Sequence, residues 1–151
     1  MKNIIIRKAT KKDIPYLHAL VYELAVFEKA PEAHTATVAD YQEDFKNKVF
    51  ESYVAVDADT KKIVGMILYY MAYSTWKGKM LYLEDFVVTE SYRQYGVGQK
   101  LFEKFLEVAR EKKCILTKWQ VLDWNTPAIN FYKKNAAIIE SEWFNGKLYL
   151  K

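Results

Sequence analysis

Residues 80–112 constrain this chain most tightly. A β-type run at 80–88, "MLYLEDFVV", leads into a loop containing Gly96 and Gly98, and Val97, Leu101, Phe105 and Val108 then recur at spacings of four and three. That recurrence predicts a helix with one apolar stripe, and a strand feeding such a helix through a short turn predicts an α/β layer. At 151 residues the chain has material for one domain, 1–151, burying about two-thirds of its unfolded surface. No repeat, low-complexity tract or Pro/Gly/Ser linker divides it.

The other elements follow from period and caps. Ile4–Lys8 reads as a short strand, and Thr10 with Asp13 as a capping box opening a helix to about Phe27, with Leu17, Leu20, Val21 and Leu24 on its apolar face. Thr37 with Asp40 caps a shorter helix ending near Lys48. "SYVAVDADTKKIVGMILYYMAY" changes to period two and reads as an antiparallel hairpin around "DADTKK". "CILTKWQV" is a strand, Thr126-Pro127 is an N-cap with proline at the first helical position, and 137–143 and 147–150 are two closing strands. The predicted order is β-α-α-β-β-β-α-β-α-β-β.

Composition narrows the function. Cys114 is the only cysteine and His18 and His34 the only histidines, which excludes an internal disulfide and predicts no metal site. A reducing cytoplasmic location fits. "MKNIIIRKAT" lacks a signal-peptide core, and the longest apolar run, 63–73, is too short to span a bilayer. A net charge of +4 is too mild to predict nucleic-acid binding and suits an anionic small molecule.

The glycine turn offers such a molecule a seat. A helix N-terminus presents unpaired N–H groups at a positive dipole end, and glycine at 96 and 98 admits close approach to a phosphate. The pattern is neither G-x-G-x-x-G nor G-x-x-x-x-G-K-[ST], so the dinucleotide and P-loop readings lose their main support.

Arg93-Gln94-Tyr95-Gly96-Val97-Gly98, after "LYLEDFVV" and before "WNTPAINFYKKN", resembles the GNAT superfamily of acetyl-CoA-dependent N-acetyltransferases. "IRKATKKD", "ELAVFE" and "YRQYGVG" are similar, within that family, to stretches of the diamine (spermidine/spermine) acetyltransferases. The resemblance implies a GNAT fold, a mixed sheet of six to seven strands with about four helices. It also implies that Phe86, Val87 and Val88 bind the pantetheine arm of acetyl-CoA through their backbone. Arg93 belongs to the R-x-x-G-x-G loop, and Gln94, Tyr95, Gly96, Val97, Gly98 and Gln99 would bind the pyrophosphate. Asn125, Thr126, Pro127 and Ala128 would flank the cofactor, and Tyr132 would donate a proton. Phe27, Glu28 and Glu84 would face a small amine, and a homodimer is implied. Ser74 and Lys77 around Trp76, Phe27 in place of a tyrosine and Ala136 in place of a helix-ending glycine depart from the diamine enzymes, and Asn135 is expected to take the left-handed position instead.

Chemistry asks for the same groups. An amine with an ordinary pKa near 10 is protonated at neutral pH, so transfer needs a carboxylate or a site that lowers that pKa. Glu84 and Asp85 are neighbours on a strand and are expected to face opposite sides; Glu84 is chosen as the base, acting directly or through a water. Tyr132 is matched to protonating a thiolate. A di- or polyamine would draw on Glu28, Glu32, Glu84 and Glu142, with Trp76 as a cation–π wall. A lysine-like amino acid or a protein amine stands as the alternative acceptor, and a non-catalytic CoA-binding or interaction module as the alternative class.

Overall fold

Alternating apolar residues pair into one sheet in a computed structural model that describes residues 2–151. β1 (Ile4–Lys8), β2 (Glu51–Asp57), β3 (Ile63–Ser74) and β4 (Gly78–Val88) run antiparallel in chain order, and β5 (Leu116–Trp119) joins β4 in parallel. The parallel step requires a crossover, which the predicted helix supplies as α3 (Val97–Glu111).

Two helices precede the hairpin. α1 (Ile14–Phe27) follows a 3-10 turn at Lys11–Asp13, and α2 is Val38–Lys46. Both expected capping boxes are present: Thr10 N–H donates to Asp13 Oδ2 at 2.7 Å, while Thr37 N–H donates to Asp40 Oδ2 at 2.8 Å and Asp40 N–H returns to Thr37 Oγ1 at 3.1 Å. Asp13 also takes two bonds from Arg7, at 2.7 and 3.0 Å, tying β1 to the start of α1 and holding its carboxyl below the usual range.

Both sheet faces are covered. Ile14, Leu17 and Leu20 of α1 pack with Val54, Met66, Leu68 and Val87, and Tyr41 and Phe45 of α2 add to that cluster. On the other face Phe105 meets Tyr69, and Phe102 stacks on Phe86 and stands edge-on to Trp119. Leu68 and Tyr69 are strand neighbours, so their assignment to different clusters fixes which face each helix covers.

The contacts divide the chain into two units, Met1–Gln120 and Val121–Lys151. The second contains α4 (Thr126–Lys134) and an extended tail. Here the sequence expectation needs three corrections. Residues 137–143 and 147–150 form no strand among the described residues, so the sheet has five strands rather than six to seven. Alternation makes a strand only where a neighbour completes its hydrogen bonds. The N-cap of α4 is Asn125, whose Oδ1 accepts from Ala128 N–H at 3.3 Å; Thr126 and Pro127 lie inside the first turn. Ala136, not Asn135, takes the left-handed position, with φ +67°, and closes a Schellman motif through Ala137 N–H to Tyr132 O and Ala136 N–H to Lys133 O, both 3.0 Å.

Candidate active site

The glycine loop is built as an anion seat. Gly96 caps α3 with φ +77°, Gln94 before it has φ +68°, and no side chain satisfies the first helical N–H groups by capping. No acidic residue stands in the first turn of this fifteen-residue helix. A Cβ at Gly96 would meet nothing within 4 Å, so the backbone conformation, not crowding, selects glycine there. One at Gly98 would lie 3.6 Å from Phe86 and 3.8 Å from Val88, ordinary contact that fills the floor of the turn.

Neighbouring side chains brace this seat. Arg93 Nε donates to Val88 O at 3.0 Å, and its guanidinium lies 5.7 Å from the Phe27 ring centroid, joining the end of β4, the end of α1 and the loop. Val97 is buried, Tyr95 is half-exposed beneath the Lys2 ammonium, and Gln99 Nε2 donates to Glu103 Oε1 at 3.1 Å. The β4–β5 ladder ends at Leu83 and Trp119, so the backbone of Phe86, Val87 and Val88 on that side lies beyond it.

The acids lie on the α1–α2 face, both of them. In the β3–β4 register Leu68 opposes Asp85 and Tyr69 opposes Leu83, leaving Glu84 as an extra, bulged residue. A bulge can bring consecutive side chains to one side, and this corrects the expectation that Glu84 and Asp85 diverge. Glu84 Oε1 accepts from Tyr70 Oη at 2.8 Å, and Tyr70 stacks on Tyr82 at 5.3 Å. Tyr41 and Tyr70 both feel the charges of Glu84 and Asp85.

The electrostatics follow from crowding like charges in a half-buried place. Burial pushes the Asp85 carboxyl up to about 7, and the charges of Glu84 and Glu28 add to the shift. Burial raises Glu28 as well. Tyr41 is pushed up to about 12 by burial, then by Asp85 and Glu84; Tyr70 rises through burial and through its bond to Glu84. No hydrogen bond or cation among the described residues offsets the shift at Asp85. Three carboxylates and several phenols thus share a face suited to a cation.

Tyr41, Tyr70 and the joint placement of the acids were not legible beforehand; the one signal was two carboxylates interrupting an apolar strand. Tyr41 also packs edge-on against His18 at 5.0 Å, while the His18 and His34 rings lie tilted to one another with centroids 4.5 Å apart. Glu28 ends α1, its N–H donating to Leu24 O at 2.9 Å, beside half-exposed Phe27. Trp76 is 87% exposed in the β3–β4 turn, beyond Gly78, which itself lies about 17 Å along β4 from Leu83 at roughly 3.4 Å per residue. In the second unit Asn125 caps α4, Tyr132 is buried with its ring 5.7 Å from Phe131, and Glu142 is exposed on the tail. Among the described residues no group of His, Cys, Asp or Glu is arranged to hold a metal, and no helix is long and apolar enough to cross a membrane.

A half-ladder beside a glycine-capped helix defines an architecture shared with acetyltransferases of known structure. The crystal structure of an aminoglycoside acetyltransferase from an uncultured soil metagenomic sample, in complex with trehalose, matches with a TM-score of 0.80 over 98% of this chain and 97% of that one, at 19% identity, which establishes the fold. Sequence goes further. Residues 18–137 match the acetyltransferase (GNAT) family. A thialysine N-epsilon-acetyltransferase from Caenorhabditis elegans is 36% identical over 132 residues, spanning 87% of this chain and 81% of that protein. Human spermidine/spermine N(1)-acetyltransferase-like protein 1 is 34% identical over 140 residues, 88% of this chain and 20% of that protein. The chain belongs to the GNAT acetyltransferase family and is an N-acetyltransferase, in a family whose acetyl donor is acetyl-CoA.

Proposed function

We propose that this enzyme, as one domain over 1–151, acetylates a primary amine of a small di- or polyamine such as spermidine or spermine. The observation that carries the reading is the acid face: the charges of Glu84 and Glu28 both bear on half-buried Asp85 there, and no cation among the described residues offsets the shift at Asp85. A flexible chain of ammonium groups matches such a face, the charge nearest the thioester being the one that reacts. The relatives named for thialysine support a second reading, a lysine-like amino acid. Its α-carboxylate would meet like charge on this face, which places it second.

Acetyl-CoA supplies the acetyl group as a thioester, whose C–S bond breaks as the amide C–N bond forms. Residues Gln94 to Gln99 hold its pyrophosphate in this reading, the N–H groups of Gly96, Val97 and Gly98 foremost, with Arg93 bracing the loop as part of the same cofactor seat. The backbone of Phe86 to Val88 takes the pantetheine amides, and Asn125 to Ala128 flank the cofactor, as the motif implies. The Glu84 and Asp85 pair relieves the ammonium of its proton, and Tyr132 donates to the departing sulfur. Phe27 and Glu28 face the amine, with Trp76 and Glu142 as further contacts.

The reading includes a cytoplasmic homodimer. Trp143, Phe144, Leu148, Tyr149 and Leu150 are each at least 80% exposed, an apolar surface that a second copy would cover. Light scattering of the full chain checks it, a monomer at micromolar concentration being the contrary result. The acceptor is tested by thiol release from acetyl-CoA with spermidine, spermine, putrescine, lysine, thialysine and a lysine-containing peptide. Turnover concentrated in the first three supports the reading; turnover confined to lysine and thialysine transfers it to the amino acid.

A further inference from the structure

The β4 bulge separates the roles of two acids that look interchangeable in sequence. Glu84 is exposed, and one of its oxygens is held by Tyr70 Oη at 2.8 Å. Asp85 is half-buried on the same face, opposite Leu68 of the α1 cluster. The groups facing it are Glu84 on its own strand, Glu28 at the end of α1, Tyr41 on α2 and Tyr70 on β3. None of these is a cation. Ionised Asp85 therefore has carboxylates and phenols around it, and either an ammonium or a proton relieves that arrangement.

Resting on the amine-acetylation reading above, we propose that Asp85 takes the proton from the substrate ammonium, while Glu84, clamped by Tyr70, attracts the cation. R–NH3+ and Asp85 carboxylate become R–NH2 and Asp85 carboxylic acid. The freed lone pair forms the C–N bond as the C–S bond breaks, the second amine proton leaves with the thiol, and Asp85 returns its proton to water. Ammonium and thioester thus become amide, thiol and one proton. A base whose affinity for protons lies near the working pH accepts and releases a proton with little bias, which the burial of Asp85 provides and an open carboxylate does not. Tyr70 is a positioning residue in this scheme, fixing the Glu84 carboxylate.

The test compares the full-length wild type with Asp85→Asn and Glu84→Gln. Wild-type kcat/KM for the amine is expected to fall on the acid side with a midpoint near 7. Asp85→Asn should lose about a hundred- to ten-thousandfold in kcat and lose that acid limb. Glu84→Gln should raise KM and keep the limb, its midpoint moved to lower pH because a neighbouring negative charge is gone. Independently of turnover and cofactor, a carboxyl-carbon NMR titration of the free protein should show one aspartate titrating near neutrality that Asp85→Asn removes. A limb that survives in Asp85→Asn and disappears in Glu84→Gln overturns the proposal alone, as does an Asp85 resonance titrating in the ordinary aspartate range. Failure of every amine to turn over would remove the acceptor reading and the proposal with it.

Discussion

Replacing Asp85 with asparagine should stabilise this protein at high pH and not at low pH. The folded carboxyl is held at about 7 against an ordinary 3.8, about three units, and at about 1.4 kcal/mol per unit the ionised form is disfavoured by at most about 4 kcal/mol. Asp85 keeps some contact with water, and screening of that order reduces the figure to roughly 2 kcal/mol. The sign is set by which state binds the proton: between the ordinary value and about 7 the folded chain is protonated while the unfolded chain is ionised. The destabilisation is accordingly absent below that window, grows as pH rises through it and is complete above it. Asparagine keeps the shape and removes the ionisation. Urea unfolding of wild type and Asp85→Asn, followed by fluorescence, should give a gain of about 2 kcal/mol near pH 8 and less than about 0.5 kcal/mol near pH 4. Equal stability of the two proteins near pH 8, or a gain that does not change with pH, would refute the claim that Asp85 is a carboxylate held among like charges.

The remaining predictions concern the other parts of the site. Tyr132→Phe should lower kcat by about ten- to a thousandfold with acetyl-CoA affinity little changed; an unchanged kcat removes Tyr132 from proton donation. Gly96→Asp forces a side chain onto a backbone at φ +77° and sets negative charge at the α3 N-terminus, so calorimetric titration should show much weaker acetyl-CoA binding. Undiminished affinity would mean that the loop does not hold the cofactor. Ala136→Gly relieves a left-handed alanine at the end of α4 and should raise stability by about 0.5–1 kcal/mol, read from the urea midpoint.

Local signals determined a good deal from the sequence alone. Thr10 with Asp13 and Thr37 with Asp40 announce helix starts because a short polar side chain meets a backbone N–H only three residues away. Val97, Leu101, Phe105 and Val108 announce the face of α3, since that depends on the geometry of one helix turn, whereas the left-handed conformation of Gly96 came from the structure. The R-x-x-G-x-G loop and the acids in "LYLEDFVV" marked the candidate site as local motifs of the same kind. Tertiary structure decided what depends on a partner strand or a closed surface. The slip at Glu84 exists only in the β3–β4 register, and it alone turns Glu84 and Asp85 to one face and gives their charges Glu28, Tyr41 and Tyr70 as neighbours. Residues 137–143 and 147–150 alternate as strands do, yet alternation supplies no hydrogen-bond partner. Ala136 takes the position left open to Asn135 because the Schellman bonds to Tyr132 and Lys133 fix where the helix stops. Periodicity and caps are properties of neighbours along the chain; register, burial and the proton affinity of Asp85 are properties of neighbours across it.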